Sequence, residues 1–231
     1  MDLDVRNGFR LRGRAMSRLE TFADASFAFA LTLLVISVDE IPGSYDELVD
    51  ALRSVPAFLA SFLQLAMFWM GHREWTRQYG LDDTTTLWLT LLLIAGVLIM
   101  VYPLKVMVAA TFAYLTGGWA PGPFEITSYD QVRGIFALFG VSFFALSAII
   151  LLLFAHAYRR REALALSPFE RHETLTSVFG WCILSGVGLL SVLLALLLPQ
   201  QHIQLAGWCY ALLGVLMPGL DFWRHRSRPV S

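Results

Sequence analysis

The chain reads as an all-α polytopic membrane protein with six spanning helices and both termini in the cytosol. Three observations predict this. Of its 231 residues, 57% are hydrophobic and 15% are charged, with mean hydropathy +0.61, whereas soluble domains carry about a quarter charged residues. The apolar residues gather in six runs, each near the ~20 residues that a helix needs to cross a bilayer. Lys and Arg alternate between the connections, as the positive-inside rule requires.

Span 1, roughly 19–38, follows Arg6, Arg10, Arg12, Arg14 and Arg18. It is long enough to cross and has no cleavage-like end, so it reads as a span and not as a signal peptide. An acidic loop follows, with Asp39, Glu40, Asp46, Glu47 and Asp50. Span 2, roughly 55–76, ends among Arg73 and Arg77. Span 3, roughly 86–108, is expected to stop near Pro103 and Lys105, with Trp88 at its start. The longest connection, 109–131, contains "TGGWAPGPFEITSYD", whose Gly and Pro content marks a loop. Span 4, roughly 132–157, puts His156 at the interface ahead of Arg159, Arg160 and Arg161. Span 5, roughly 175–198, carries Gly180, Gly186 and Gly188, which suit close helix approach. Span 6 is roughly 203–222. Trp88, Trp181 and Trp208 read as interfacial anchors. No internal repeat or soluble domain interrupts the plan, so residues 1–231 form one transmembrane domain.

With the N-terminus inside, the arginines before span 1 are cytosolic. So are Arg73, Arg77, Arg159, Arg160, Arg161, Arg171, Arg224, Arg226 and Arg228. Only Arg53, Lys105 and Arg133 fall outside. A different number of spans would scramble that split.

The composition excludes several functions. A net charge of −1 offers no nucleic-acid footprint. Cys182 and Cys209 lie inside apolar runs and read as packing residues. His172, His202 and His225 have no ligand spacing around them, so neither a metal nor a cofactor is expected. No phosphate loop, nucleophile elbow or metalloprotease helix is present.

The chemistry concentrates in "RLETFADASFAFALTLLVISV", Arg18 to Val38. At about 100° per residue, Phe29, Leu33 and Ile36 fall on one apolar stripe flanked by Ser26 and Thr32. Asp24 points elsewhere. An acid in hydrocarbon costs a few kcal/mol unless it finds partners. It lies six residues past Arg18, about 9 Å along the helix at 1.5 Å per residue. Trp69 and His72 in "FWMGHREW" lie at similar depth on one face of span 2. The ring N–H of His72 or the indole N–H of Trp69 would satisfy it. Such a contact either locks helices together or also positions span 1 around a pathway. The acids Asp39 and Glu40 are either a solvated loop or a cation-attracting mouth.

Arg18, Phe22 and Asp24 resemble the R-x-x-x-F-S-D signature of the endosomal and lysosomal potassium channel family and its bacterial homologues. Those channels lack the TVGYG filter, and so does this chain. The motif-level likeness runs from the signature through "FALTLLV" to Trp69 and His72. The resemblance implies a homotetramer in a bacterial plasma membrane, with span 1 lining a central pore. It also implies a constriction of apolar side chains, here Phe29, Leu33 and Ile36, with Thr32 beside it. The expected function is a potassium-permeable leak channel with a hydrophobic gate, open also to other monovalent cations or protons. Ala23 departs from the signature serine, and Phe29 from a usually aliphatic position. Two other classes compete: a membrane enzyme using Asp24 and His72 as a proton-transfer pair, and a secondary transporter. The enzyme lacks a third catalytic group; the transporter would want broken helices and repeated halves.

Overall fold

The computed structural model describes residues 5–6, 8–13, 15–36 and 43–227, apart from the side chain of Ile36. A short antiparallel hairpin opens the chain, β1 (Val5–Arg6) paired with β2 (Phe9–Arg10). Five long helices follow: α1 (Arg18–Ile36), α2 (Tyr45–Tyr79), α3 (Thr84–Leu115), α4 (Tyr129–Arg159) and α5 (Pro168–Leu197). The C-terminal run Gln200–Arg226 is irregular. It passes through 3₁₀ turns and a short α6 (Leu205–Trp208) before α7 (Leu213–Arg226).

Helix starts follow side-chain capping of otherwise orphaned backbone N–H groups. Ser44 accepts from the Glu47 N–H, Asp83 from Thr86 and Ser128 from Gln131. Ser167 and Glu170 form a reciprocal capping box around Pro168, which is preset for the first helical turn. Gly80 ends α2 at φ 57°, a conformation that side chains resist.

Most helices overrun their expected bounds. α2 begins ten residues before position 55, because its polar first turns "YDELVD" are held by the Ser44 cap. α3 does not stop at Pro103; it continues to Leu115, which shortens the connection to 116–128. α2, α3, α4, α5 and the run Gln200–Arg226 are long and apolar enough to cross a membrane. α1 is 19 residues long and carries Arg18, Glu20 and Asp24 at its start.

The core joins α1 to α5, with Phe68, Trp75, Tyr79, Met100, Leu146 and Phe154 almost wholly enclosed. α4 and α5 approach most intimately. A Cβ on Gly188 would lie 2.9 Å from the Phe144 backbone nitrogen. Gly186, expected to serve the same end, has nothing within 4 Å of that point. Trp88 and Trp208 are exposed, but Trp181 is 8% exposed and belongs to the core. Its indole fills the slot left by Gly71, where a Cβ would sit 2.3 Å from the ring. Burying the ring there outweighs an interfacial position. Buried polar groups are tied across helices: Trp75 Nε1 donates to the Leu153 carbonyl at 2.8 Å, and Tyr79 shares a 2.8 Å hydrogen bond with Thr174.

Candidate functional site at the first helix

α1 has two opposed faces. Ala23, Phe27, Ala30 and Leu34 recur at i, i+4, i+7 and i+11 and are at most 2% exposed. They pack on α2 and α3. The opposite face carries Phe22, Ala25, Phe29, Thr32 and Val35, all exposed in the single subunit. Phe29 lies at its centre, 57% exposed. Leu33 sits on the flank, half-buried against the subunit core. Ile36 is the last described residue of α1. Asp39 and Glu40 lie outside the described residues.

The flanking hydroxyls are satisfied within the helix. Ser26 Oγ donates to the Phe22 carbonyl at 2.7 Å and Thr32 Oγ1 to the Ala28 carbonyl at 2.9 Å. The exposed Thr32 oxygen therefore keeps its lone pairs outward.

Two side-chain bonds hold the first turns of α1 to α2. Trp69 Nε1 donates to Asp24 Oδ1 at 2.8 Å, and Thr76 Oγ1 donates to Glu20 Oε1 at 3.1 Å. The Arg73 guanidinium lies over the Trp69 ring, 5.3 Å from its centroid. Of the two donors expected for Asp24, the indole takes the role. His72, 1% exposed, turns to α3, its Nε2 3.2 Å from Thr90 Oγ1. Its Nδ1 has no partner among the described residues. It borders a cavity of about 250 Å³ lined by Arg12, Glu20, Thr76, Asp82, Thr86 and Thr90. Asp24 and His72 thus bond to different helices and not to one another. Arg18 is exposed. Among the described residues, no cluster of three or more His, Cys, Asp and Glu side chains could hold a metal.

Two charged clusters form at the starts of α3 and α5, where the sequence offers only topogenic charge. Asp83 Oδ2 lies 2.7 Å from His156 Nε2 and 3.2 Å from Arg160 Nη2. Burial pushes the Asp83 carboxyl up, but the Thr86 N–H and His156 outweigh it and hold it at about 2. Glu170, fully enclosed, gathers Arg10 and Arg12. The motif S-x-x-E at Ser167–Glu170 signals the cap; nothing local signals which arginines reach it.

Comparisons with known proteins address this architecture directly. Residues 18–103 match the family described as endosomal/lysosomal potassium channel TMEM175. A protein of Marivirga tractuosa named potassium channel is 30% identical over 214 residues, covering 88% of this chain and 85% of its own length. The crystal structure of the potassium channel MtTMEM175, a threonine-to-alanine variant in complex with a nanobody–MBP fusion protein, superposes with TM-score 0.82. It is 27% identical and covers 97% of this chain and 100% of its own. The matched segment contains both α1 and the Trp69–His72 stretch. This multi-pass membrane protein belongs to the TMEM175 potassium channel family.

Proposed function

We propose that the chain is the subunit of a potassium-permeable leak channel in a bacterial plasma membrane. Four copies set their α1 helices around one axis, with six spans per subunit and both termini cytosolic. The opposed faces of α1 carry this reading: one side is buried in its own subunit, while the other presents Phe29 and Thr32 outward. Kinship with the Marivirga tractuosa protein named potassium channel supports potassium as the permeant ion.

Four copies of Phe29, with Leu33 and Ile36, form a neck that expels water when narrow. An ion cannot cross a dry neck, because it would lose its hydration with nothing in exchange; a small dilation wets the passage. Phenylalanine makes that neck bulkier than an aliphatic ring. Thr32 supplies acceptor oxygens beside it, since its hydroxyl hydrogen is directed to the Ala28 carbonyl. Asp39 and Glu40 concentrate cations at the outer mouth. A neck without coordinating carbonyls discriminates modestly, and protons and other monovalent cations pass with potassium. The Asp24–Trp69 bond holds α1 against α2 so that the ring stays in register.

Potassium flux from liposomes containing the purified protein tests this. A channel drives flux that stops at the potassium equilibrium potential and needs no coupled substrate. Absence of flux, in vesicles that valinomycin still empties, refutes it.

A further inference from the structure

The segment before α1 is strapped across three other elements, and one buried acid holds the strap. Each oxygen of Glu170 accepts three donors. Oε1 takes the Arg10 backbone N–H at 2.9 Å, Arg10 Nε at 3.1 Å and Arg12 Nη1 at 3.1 Å. Oε2 takes Arg10 Nη2 at 2.7 Å, Arg12 Nη2 at 3.0 Å and the Ser167 N–H at 2.8 Å. The Glu170 side chain is 0% exposed. Arg10 and Arg12 also reach the Ala165 and Leu164 carbonyls of the α4–α5 turn.

The strap is seated by shape as well. Phe9, 5% exposed, stands edge-on to Tyr79, with ring centroids 5.7 Å apart. The Gly13 N–H donates to the Arg77 carbonyl at 3.1 Å. A Cβ on Gly13 would lie 2.3 Å from the Thr76 carbonyl oxygen, and one on Gly80 would lie 2.9 Å from the Arg12 carbonyl. Backbone therefore meets backbone at the end of α2. Four residues after Gly13, Ser17 accepts the Glu20 N–H and starts α1. Only four residues of chain join Gly13 to Ser17, so the clamp and the start of α1 can lie no more than about 14 Å apart.

We propose that Glu170 is a positioning residue for conduction: by clamping Arg10 and Arg12 it fixes the entry point of α1, and with it the width of the apolar neck. The functional half of this rests on the channel reading above; the placement of α1 does not. Releasing the clamp lets the entry of α1 wander. Wetting of a hydrophobic neck is steep, so the widest arrangements dominate the average and mean flux rises.

The test uses the full-length protein in liposomes, in a Cys182→Ser, Cys209→Ser background. Spin labels at Thr32→Cys on α1 and Leu138→Cys on α4 report distances, with labelled subunits diluted among unlabelled ones, while potassium flux is read on unlabelled protein that keeps Thr32 and Leu138. Glu170→Gln and the milder Arg10→Gln are compared with Arg224→Gln. That control breaks the Arg224–Glu173 pair, which joins α7 to the same α5 and, among the described residues, shares no hydrogen bond with Arg10 or Arg12. The expected result is a broadened α1–α4 distance distribution and several-fold higher potassium flux in the strap variants. Arg224→Gln should keep the wild-type distances and flux even if it melts earlier. Wild-type distances in both strap variants, with losses of melting temperature like the control's, would overturn the proposal. Broadened distances with no flux in any protein, wild type included, would retain the clamp and reject the channel.

Discussion

Replacing Trp69 by Phe removes one hydrogen-bond donor and leaves an aromatic ring under Arg73. In the wild type, Nε1 lies 2.8 Å from a carboxylate oxygen that is half-buried in the first turns of α1. A hydrogen bond to a charged group contributes about 1.5–3 kcal/mol in water-soluble proteins. Interhelical hydrogen bonds in a membrane protein average about 0.6 kcal/mol. Asp24 sits near the helix entrance, where both settings apply, so a coupling of about 1–2 kcal/mol is expected. The assay is a double-mutant cycle with Trp69→Phe, Asp24→Ala and the pair, read as detergent-resistant fold and assembly on heating. Each single variant should lose stability. The pair should lose less than their sum, because each single variant strands the other's partner. Strict additivity would mean that the two side chains do not depend on one another, and the tie between α1 and α2 would have to lie elsewhere.

Phe29→Ala should raise leak flux with little loss of stability, because its ring is exposed in the single subunit. Leu33→Ala should raise flux and also destabilise, because that side chain packs on the subunit core; unchanged flux in both would count against the neck. Gly188→Ala should cost about 1–3 kcal/mol through overpacking against the Phe144 backbone. Gly186→Ala, with open space around it, should be neutral or stabilise by up to about 1 kcal/mol in thermal denaturation. Asp83 is held at about 2 against an ordinary 3.8. Its stabilisation is thus complete above the ordinary value and lost as pH falls through the folded one, and amounts to about 2 kcal/mol. The gap between wild type and Asp83→Asn should close as pH drops from about 4 to 2; a gap that persists at the acid end would contradict it.

Much of this was legible because the bilayer imposes simple rules. Hydrophobic length located the long apolar helices, and a rise per residue placed Asp24 level with Trp69. Which donor the acid chose was not legible: His72 shares a face with Trp69, but α3 offers Thr90 to it, and helix rotation is set by packing. In sequence Trp181 reads as an interfacial anchor, because position near a helix end is visible there and the slot at Gly71 is not. The helix extensions into polar sequence depend on caps such as Ser44, which a hydropathy window ignores. The largest omission was Glu170. Arg10 and Arg12 look like ordinary cytosolic charge, and a contact spanning some 160 residues leaves no local pattern.

The central claim is that α1 presents Phe29 to a shared axis. A Phe29→Cys protein in a Cys182→Ser, Cys209→Ser background measures it, reconstituted in liposomes and treated with a membrane-impermeant, positively charged thiol reagent and, separately, with a mild oxidant. The account predicts disulfide-linked dimers and loss of potassium flux on modification. Reaction only with lipid-soluble reagents, with no cross-link and unaltered flux, would contradict it.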